Sequence, residues 1–210
     1  MDRDSWIRPV VWMCVVLVLT AGLPVAAAAP ALAAYFPMTP GTVWTYMTNT
    51  NGEVRAQVGS KVQLGNAECR IIEMIVNGAI TQRECYRVTS DGVYAYQRSY
   101  AAGTLVLEPP QRMLAAPVAV GKTWQWAGRV GEYEVVMDYT WARRETTAVP
   151  AGRFSTMQLY FEGNITPQAR IQSWRWFAPG VGMVKEDSTL VQGPQSIRIY
   201  AELVRMTGGR

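Results

Sequence analysis

Apolar and polar residues alternate along most of the chain beyond its first few dozen positions. From Glu132 to Ala142, Tyr133, Val135, Met137, Tyr139 and Trp141 fall on one face. Glu132, Glu134, Asp138 and Thr140 fall largely on the other. A period of two is the mark of a half-buried strand. Gln195 to Met206 repeats it, with Ile197, Ile199, Ala201 and Leu203 inward and Arg198 and Glu202 outward. Met157, Leu159 and Phe161 follow the same rule, as do Trp174 and Trp176. Turn signals punctuate these runs: Asn51-Gly52, Gly65-Asn66, Asn77-Gly78, Asp91-Gly92, Gly163-Asn164, Pro179-Gly180 and Gly193-Pro194. Their spacing predicts roughly ten to twelve strands joined as hairpins. One segment departs from the pattern. Glu108 to Gly121 holds three prolines, and Gln111 to Ala116 between them reads as one helical turn. The expected fold is all-β: a mostly antiparallel, strongly curved sheet or open barrel with at most one short helix.

The start of the chain reads differently. Arg3 and Arg8 precede an unbroken apolar run from Val10 to Leu19, too short to span a bilayer alone. Gly22 and Pro24 follow, then an alanine-rich stretch ending in Ala31-Leu32-Ala33. This is the layout of a cleavable export signal over residues 1–33, with a cut within Ala26 to Ala29 as the alternative. Cleavage after Ala33 leaves residues 34–210 as a single β-rich domain of 177 residues, enough for a real core. The alternative is an uncleaved anchor, since Val10 to Ala34 is apolar throughout. With the signal removed, no further membrane-spanning segment is expected. The location that follows is secreted or periplasmic.

Export changes the reading of the cysteines. Cys69 and Cys85 flank Asn77-Gly78 in a compartment that permits disulfides. A two-residue loop would set Cys69 opposite Tyr86. A three-residue loop with Gly78 left-handed sets Cys69 opposite Cys85 and Arg70 opposite Glu84, satisfying two cross-strand pairs. That register predicts a disulfide contributing about 3 kcal/mol through loop closure. The alternative is a pair of reduced, buried thiols.

Composition removes most chemistry. There is no histidine, so the usual general base and the Ser-His and Cys-His nucleophile systems are excluded. No serine sits in a nucleophile elbow or beside a lysine in S-x-x-K spacing. The carboxylates Glu132, Glu134 and Asp138, with Glu73, Glu84 and Glu162, read as a solvated polar face before they read as a glycosidase pair. No calcium-loop or nucleotide-binding spacing occurs, so no metal and no cofactor are expected. Lys and Arg outnumber Asp and Glu by 20 to 16, but the basic residues are scattered, which argues against nucleic acid.

What remains is aromatic. Trp44, Trp124, Trp126, Trp141, Trp174 and Trp176 are the candidate ligand-binding residues. The two i, i+2 pairs each place both rings on one sheet face. Buried, they are core whose N–H groups need partners; facing a groove, they are an apolar or sugar-stacking platform.

Tyr35-Phe36-Pro37 with Gly41-Thr42-Val43-Trp44-Thr45-Tyr46, then Asp91-Gly92-Val93-Tyr94, Pro117 to Trp124, Val149 to Phe154 and Trp176 to Lys185, occur in that order. This set resembles a family of exported bacterial β-rich domains without an assigned activity. The resemblance implies a shape akin to the curved-sheet carriers of lipoproteins and lipids, and it transfers no catalytic residue. The expected function is an exported, non-enzymatic binding or carrier domain for an apolar, lipid-like or lipidated envelope partner, its cavity lined by Trp and Met. The alternatives are a carbohydrate- or cell-wall-binding module with surface tryptophans, and a purely structural interaction domain.

Overall fold

The computed structural model of the chain describes residues 30–166 and 169–208. Twelve strands follow one another: β1 (Val43–Thr48), β2 (Gly52–Leu64), β3 (Ala67–Val76), β4 (Ala79–Val88), β5 (Gly92–Tyr100) and β6 (Gly103–Ala115). They continue as β7 (Thr123–Val130), β8 (Tyr133–Val149), β9 (Gly152–Thr166), β10 (Ala169–Ala178), β11 (Gly182–Gln192) and β12 (Gln195–Thr207). Each pairs antiparallel with its sequence neighbours, and β1 pairs with β12, so the sheet closes as a barrel. Closure leaves no free edge strand. The all-β expectation holds, and the curved sheet is closed rather than open.

The alternation read from the sequence sets inside and outside. Val135, Met137, Tyr139 and Trp141 are all buried, as are Met157, Leu159 and Phe161 on the neighbouring strand. The outer face carries charge at mid-strand: Asp138, Glu162, Arg170, Asp187 and Arg198. This is the inverse of a membrane barrel, where each Arg or Lys at the bilayer midplane costs about 2–4 kcal/mol.

One end of the barrel is plugged. Residues 1–29, most of the expected signal, lie outside the described residues. A single 3-10 turn, Leu32–Tyr35, enters the core with Leu32 and Tyr35 buried. Tyr35 packs 6.5 Å from the Trp141 ring, and Phe36 meets Tyr86 edge-on at 5.0 Å. Gly180, at φ 77, donates its N–H to Ala34 at 2.7 Å and ties the turn to the β10–β11 loop. A cut after Ala33 would remove the buried Leu32. The alternative cut within Ala26 to Ala29 leaves the plug whole.

Two local expectations are corrected. Gln111 to Ala116 is not a helical turn, because β6 runs through Ala115 and pairs with β5. Proline removes ladder donors, and here Pro109 and Pro110 have no register partner on either side: the β5 ladder skips from Val106 to Gln111, and the β7 ladder reaches only Glu108. β6 and β7 share only two register pairs, Leu107↔Val130 and Glu108↔Arg129.

The Cys69–Cys85 register is also different. Asn77 and Gly78 both have positive φ, 50 and 81, which makes the two-residue turn that Asn-Gly prefers. A bulge then inserts one extra residue in β4, pairing Ile75 with Ile80 but Met74 with Gln82. Cys85 therefore faces Ile71, and Arg70 faces Tyr86. The cysteines are diagonal neighbours, both buried and both free thiols.

Candidate functional site

The six tryptophans do not form one site. Trp44, Trp124, Trp126 and Trp141 belong to the core or pack against it. Each indole N–H is spent on a backbone carbonyl. Trp126 donates to Pro109 at 3.0 Å, Trp124 to Arg112 at 2.9 Å and Trp141 to Ala115 at 2.9 Å. These three bonds land on β6 and replace the ladder missing from the β6–β7 seam. Trp44 donates to Val181 at 2.5 Å, joining β1 to the β10–β11 loop. Trp174 and Trp176 lie on the opposite face of the sheet, because Arg175 and Phe177 between and beside them point inward with Leu159 and Met157.

Mid-barrel, the interior is charged. Arg98 on β5 faces Glu84 on β4, its Nε 3.0 Å from Oε1. Tyr86 donates to the other Glu84 oxygen, and Gln82 to Oε1 at 2.6 Å. Arg98 also donates to Gln111 at 2.8 Å, which in turn donates to the Tyr139 hydroxyl at 2.8 Å. A second pair lies on the facing wall. Arg175 on β10 meets Glu186 on β11 at 2.9 Å, and Ser188 donates to the same carboxylate oxygen at 2.7 Å. The Arg175 guanidinium stacks over Phe161 at 5.0 Å. β10 stands half-way round the barrel from β4, yet Arg175 is within electrostatic reach of Glu84 and Tyr86. The two ion pairs form one layer across the axis.

That layer is not sealed above. The Arg175 side chain keeps 24% of its surface accessible and the Arg98 side chain 21%. The Arg175 Nε is buried without a hydrogen-bond partner among the described residues. Eight strands already give an interior that side chains fill, so twelve leave room unless the barrel flattens. Below the layer lie the plug and the densest core. Above it, towards the hairpins that follow odd-numbered strands, the inward residues become apolar and exposed. Leu105 pairs with Arg98, and Tyr100, Tyr133 and Ile197 continue the inward rows at 39–49% exposure.

The polar groups of the layer are electrostatically restrained. Burial pushes the Tyr139 hydroxyl up to about 12 and raises Tyr46 and Tyr86 further, so all three are neutral donors. Burial alone would lower Arg175, but the Glu186 carboxylate more than offsets it and the guanidinium stays charged. Of the carboxylates considered for glycosidase chemistry, Glu84 is locked to Arg98 inside the barrel, whereas Glu73 and Glu162 pair with Arg83 and Arg170 outside. No group of three or more potential metal ligands occurs among the described residues.

Outside, Trp174 and Trp176 border a recess of about 480 Å³ with Ala142, Arg143 and Gln158. Trp176 donates to Glu145 at 2.5 Å, and Lys185 sits over its ring at 5.3 Å. Trp174 packs against Tyr160 with ring centres 4.3 Å apart.

No known family model matches the chain, and no curated protein matches it in sequence. Two solved structures overlay on it in part. One is a candidate lipoprotein from Parabacteroides distasonis, 14% identical, covering 82% of this chain and 98% of its own, with a TM-score of 0.48. The other is a candidate exported protein with a YmcC-like fold from Bacteroides fragilis, 16% identical over the same shares, with a TM-score of 0.49. No residue role is carried over from either.

Proposed function

We propose that the chain is an exported, non-enzymatic domain that takes an amphiphilic guest into the open half of its barrel. The guest's apolar part lies against Tyr100, Leu105, Tyr133 and Ile197, and its polar head meets the Arg–Glu layer. The observation that carries this reading is the unpartnered Arg175 Nε beneath apolar inward residues that stay exposed. A buried donor left unpaired costs about 1–3 kcal/mol, and a guest's acceptor would remove that cost. Exposed apolar rows on the inner face, rather than scattered over the surface, are what a binding cavity presents. The wall proposed here differs from the Trp- and Met-lined surface expected from the sequence: Trp44, Trp124, Trp126 and Trp141 spend their N–H groups on backbone carbonyls, and Trp174 and Trp176 stand on the outer face. No step of chemistry is assigned: the carboxylates inside are paired with arginines.

The test is titration with dansyl-labelled undecanoate, following probe fluorescence. Binding should brighten and blue-shift the dansyl group. Leu105→Glu should weaken it at least tenfold, while Trp174→Ala on the outer face leaves it unchanged. No response from the wild-type protein, or equal affinity in Leu105→Glu, overturns the reading.

A further inference from the structure

Five of the six tryptophans among the described residues have an indole N–H with a protein acceptor: Trp44, Trp124, Trp126, Trp141 and Trp176. Trp174 is the exception. It is 39% exposed on the outer face of β10, and among the described residues no protein group accepts from its N–H. A large ring held open to water at mid-strand, without a partner for its polar atom, does nothing for the core. It is instead held ready: Tyr160, its register partner on β9, packs against it.

The surroundings fit one class of ligand. β8 carries a bulge at Ala142, where Trp141 pairs with Leu159 but Arg143 with Gln158. The bulge leaves a small residue at the floor of the recess and re-aims the strand beside Trp176. Trp174 and Trp176, two residues apart on one strand face, leave the backbone about 6.6 Å apart along the strand. Around them stand planar hydrogen-bonding groups of both signs: Arg143, Glu145, Gln172, Glu162 and Asp187, the last in register with Trp174. Apolar ring faces ringed by carboxylates, amides and guanidinium groups match a pyranose, whose axial C–H face is apolar and whose edge is hydroxyl. An anionic membrane would want one sign of charge, and a protein hot spot would want a drier surround.

We infer that the outer face of β8 to β11 is a saccharide-binding site for a pyranose chain, with Trp174 as its stacking platform and the recess at Ala142 as the neighbouring subsite. It is separate from the barrel interior and does not depend on the interior reading.

Cellotetraose and N-acetylglucosamine tetrasaccharide are the probes, followed by calorimetry and tryptophan fluorescence. The wild-type chain should bind at least one of them with a change in emission. Trp174→Ala should weaken that binding at least tenfold with an unchanged thermal midpoint, Trp174→Phe should keep most of it, and Leu105→Glu inside the barrel should leave it untouched. Binding of neither tetrasaccharide by the wild-type protein, or equal binding by Trp174→Ala, overturns the inference.

Discussion

Tryptophan does two kinds of work in this protein, and the fate of the indole N–H separates them. Trp124, Trp126 and Trp141 donate to Arg112, Pro109 and Ala115, all on β6. Pro109 and Pro110 have no N–H to offer across the seam, so side chains bridge what the backbone leaves open. Trp126→Phe keeps most of the ring and removes the bond to Pro109. It should lower stability by about 0.5–1.5 kcal/mol, the net contribution of an ordinary hydrogen bond, because a part-buried bond across the seam is lost. Urea unfolding measures this, with Trp174→Phe, which has no such bond to lose, as the near-neutral control. Equal midpoints for both variants would mean the indole bond does not hold the seam.

At the scale of the elements, the β3–β4 hairpin shows how one inserted residue redistributes side chains. Without the β4 bulge the two-residue turn would set Cys69 opposite Tyr86; with it, Cys85 faces Ile71 and Cys69 lies on the diagonal. The thiols share a small outer cluster with Ala67, packed by Val62, Leu64, Ile71 and Tyr96. Burial pushes the Cys85 thiol up to about 12 and raises Cys69 as well. The thiolate is the reactive species, so alkylation of the native chain at pH 8 should be far slower than after unfolding. Mass spectrometry after denaturing alkylation should count both thiols. A chain recovered two hydrogens lighter would show that the diagonal pair has closed into a bridge.

For the whole molecule, the consequence of the central polar layer is a dependence on alkaline pH. Burial raises the folded pKa values of Tyr46, Tyr86 and Tyr139 above the ordinary tyrosine value of about 10. A raised pKa means the folded state holds its proton more tightly. The stability this gives is complete below about pH 10 and declines as pH rises through the folded values, where the unfolded chain binds fewer protons. For Tyr139 the decline falls between 10.0 and about 12. Tyrosinate absorbance should therefore rise in two stages: exposed tyrosines first, then a cooperative step coincident with loss of the barrel. Gradual ionisation of every tyrosine near pH 10 without unfolding would contradict the packing described. At this scale, too, charged residues outside and apolar residues inside make a barrel that faces water.

Strand number, strand type and the identity of the inward rows were readable from alternation, since a period of two assigns each side chain to a face once one is known to be buried. Tyr133 to Trp141 and Ile197 to Leu203 show this, as does the common face of Trp174 and Trp176. Which face that was could not be read, because amphipathic indoles suit either side of a sheet. Glu84, Arg98, Arg175 and Glu186 carried no signal of being inside: a charged residue in an alternating strand reads as solvent-facing until the register sets an opposite charge beside it on the inner face. Each ion pair lies between hairpin neighbours, β4 with β5 and β10 with β11, but only closure of the barrel sets the two pairs on facing walls. Local sequence settled most of the strands and turns, because φ preferences and alternation are properties of neighbouring residues; it misplaced a helical turn at Gln111 to Ala116, a turn at Gly163-Asn164, which lies inside β9, and the loop length at Asn77-Gly78. Closure of the barrel, the cysteine register and the charged layer were decided only in the tertiary structure, where bulges shift pairings and a buried charge is tolerable because its oppositely charged register partner turns inward with it.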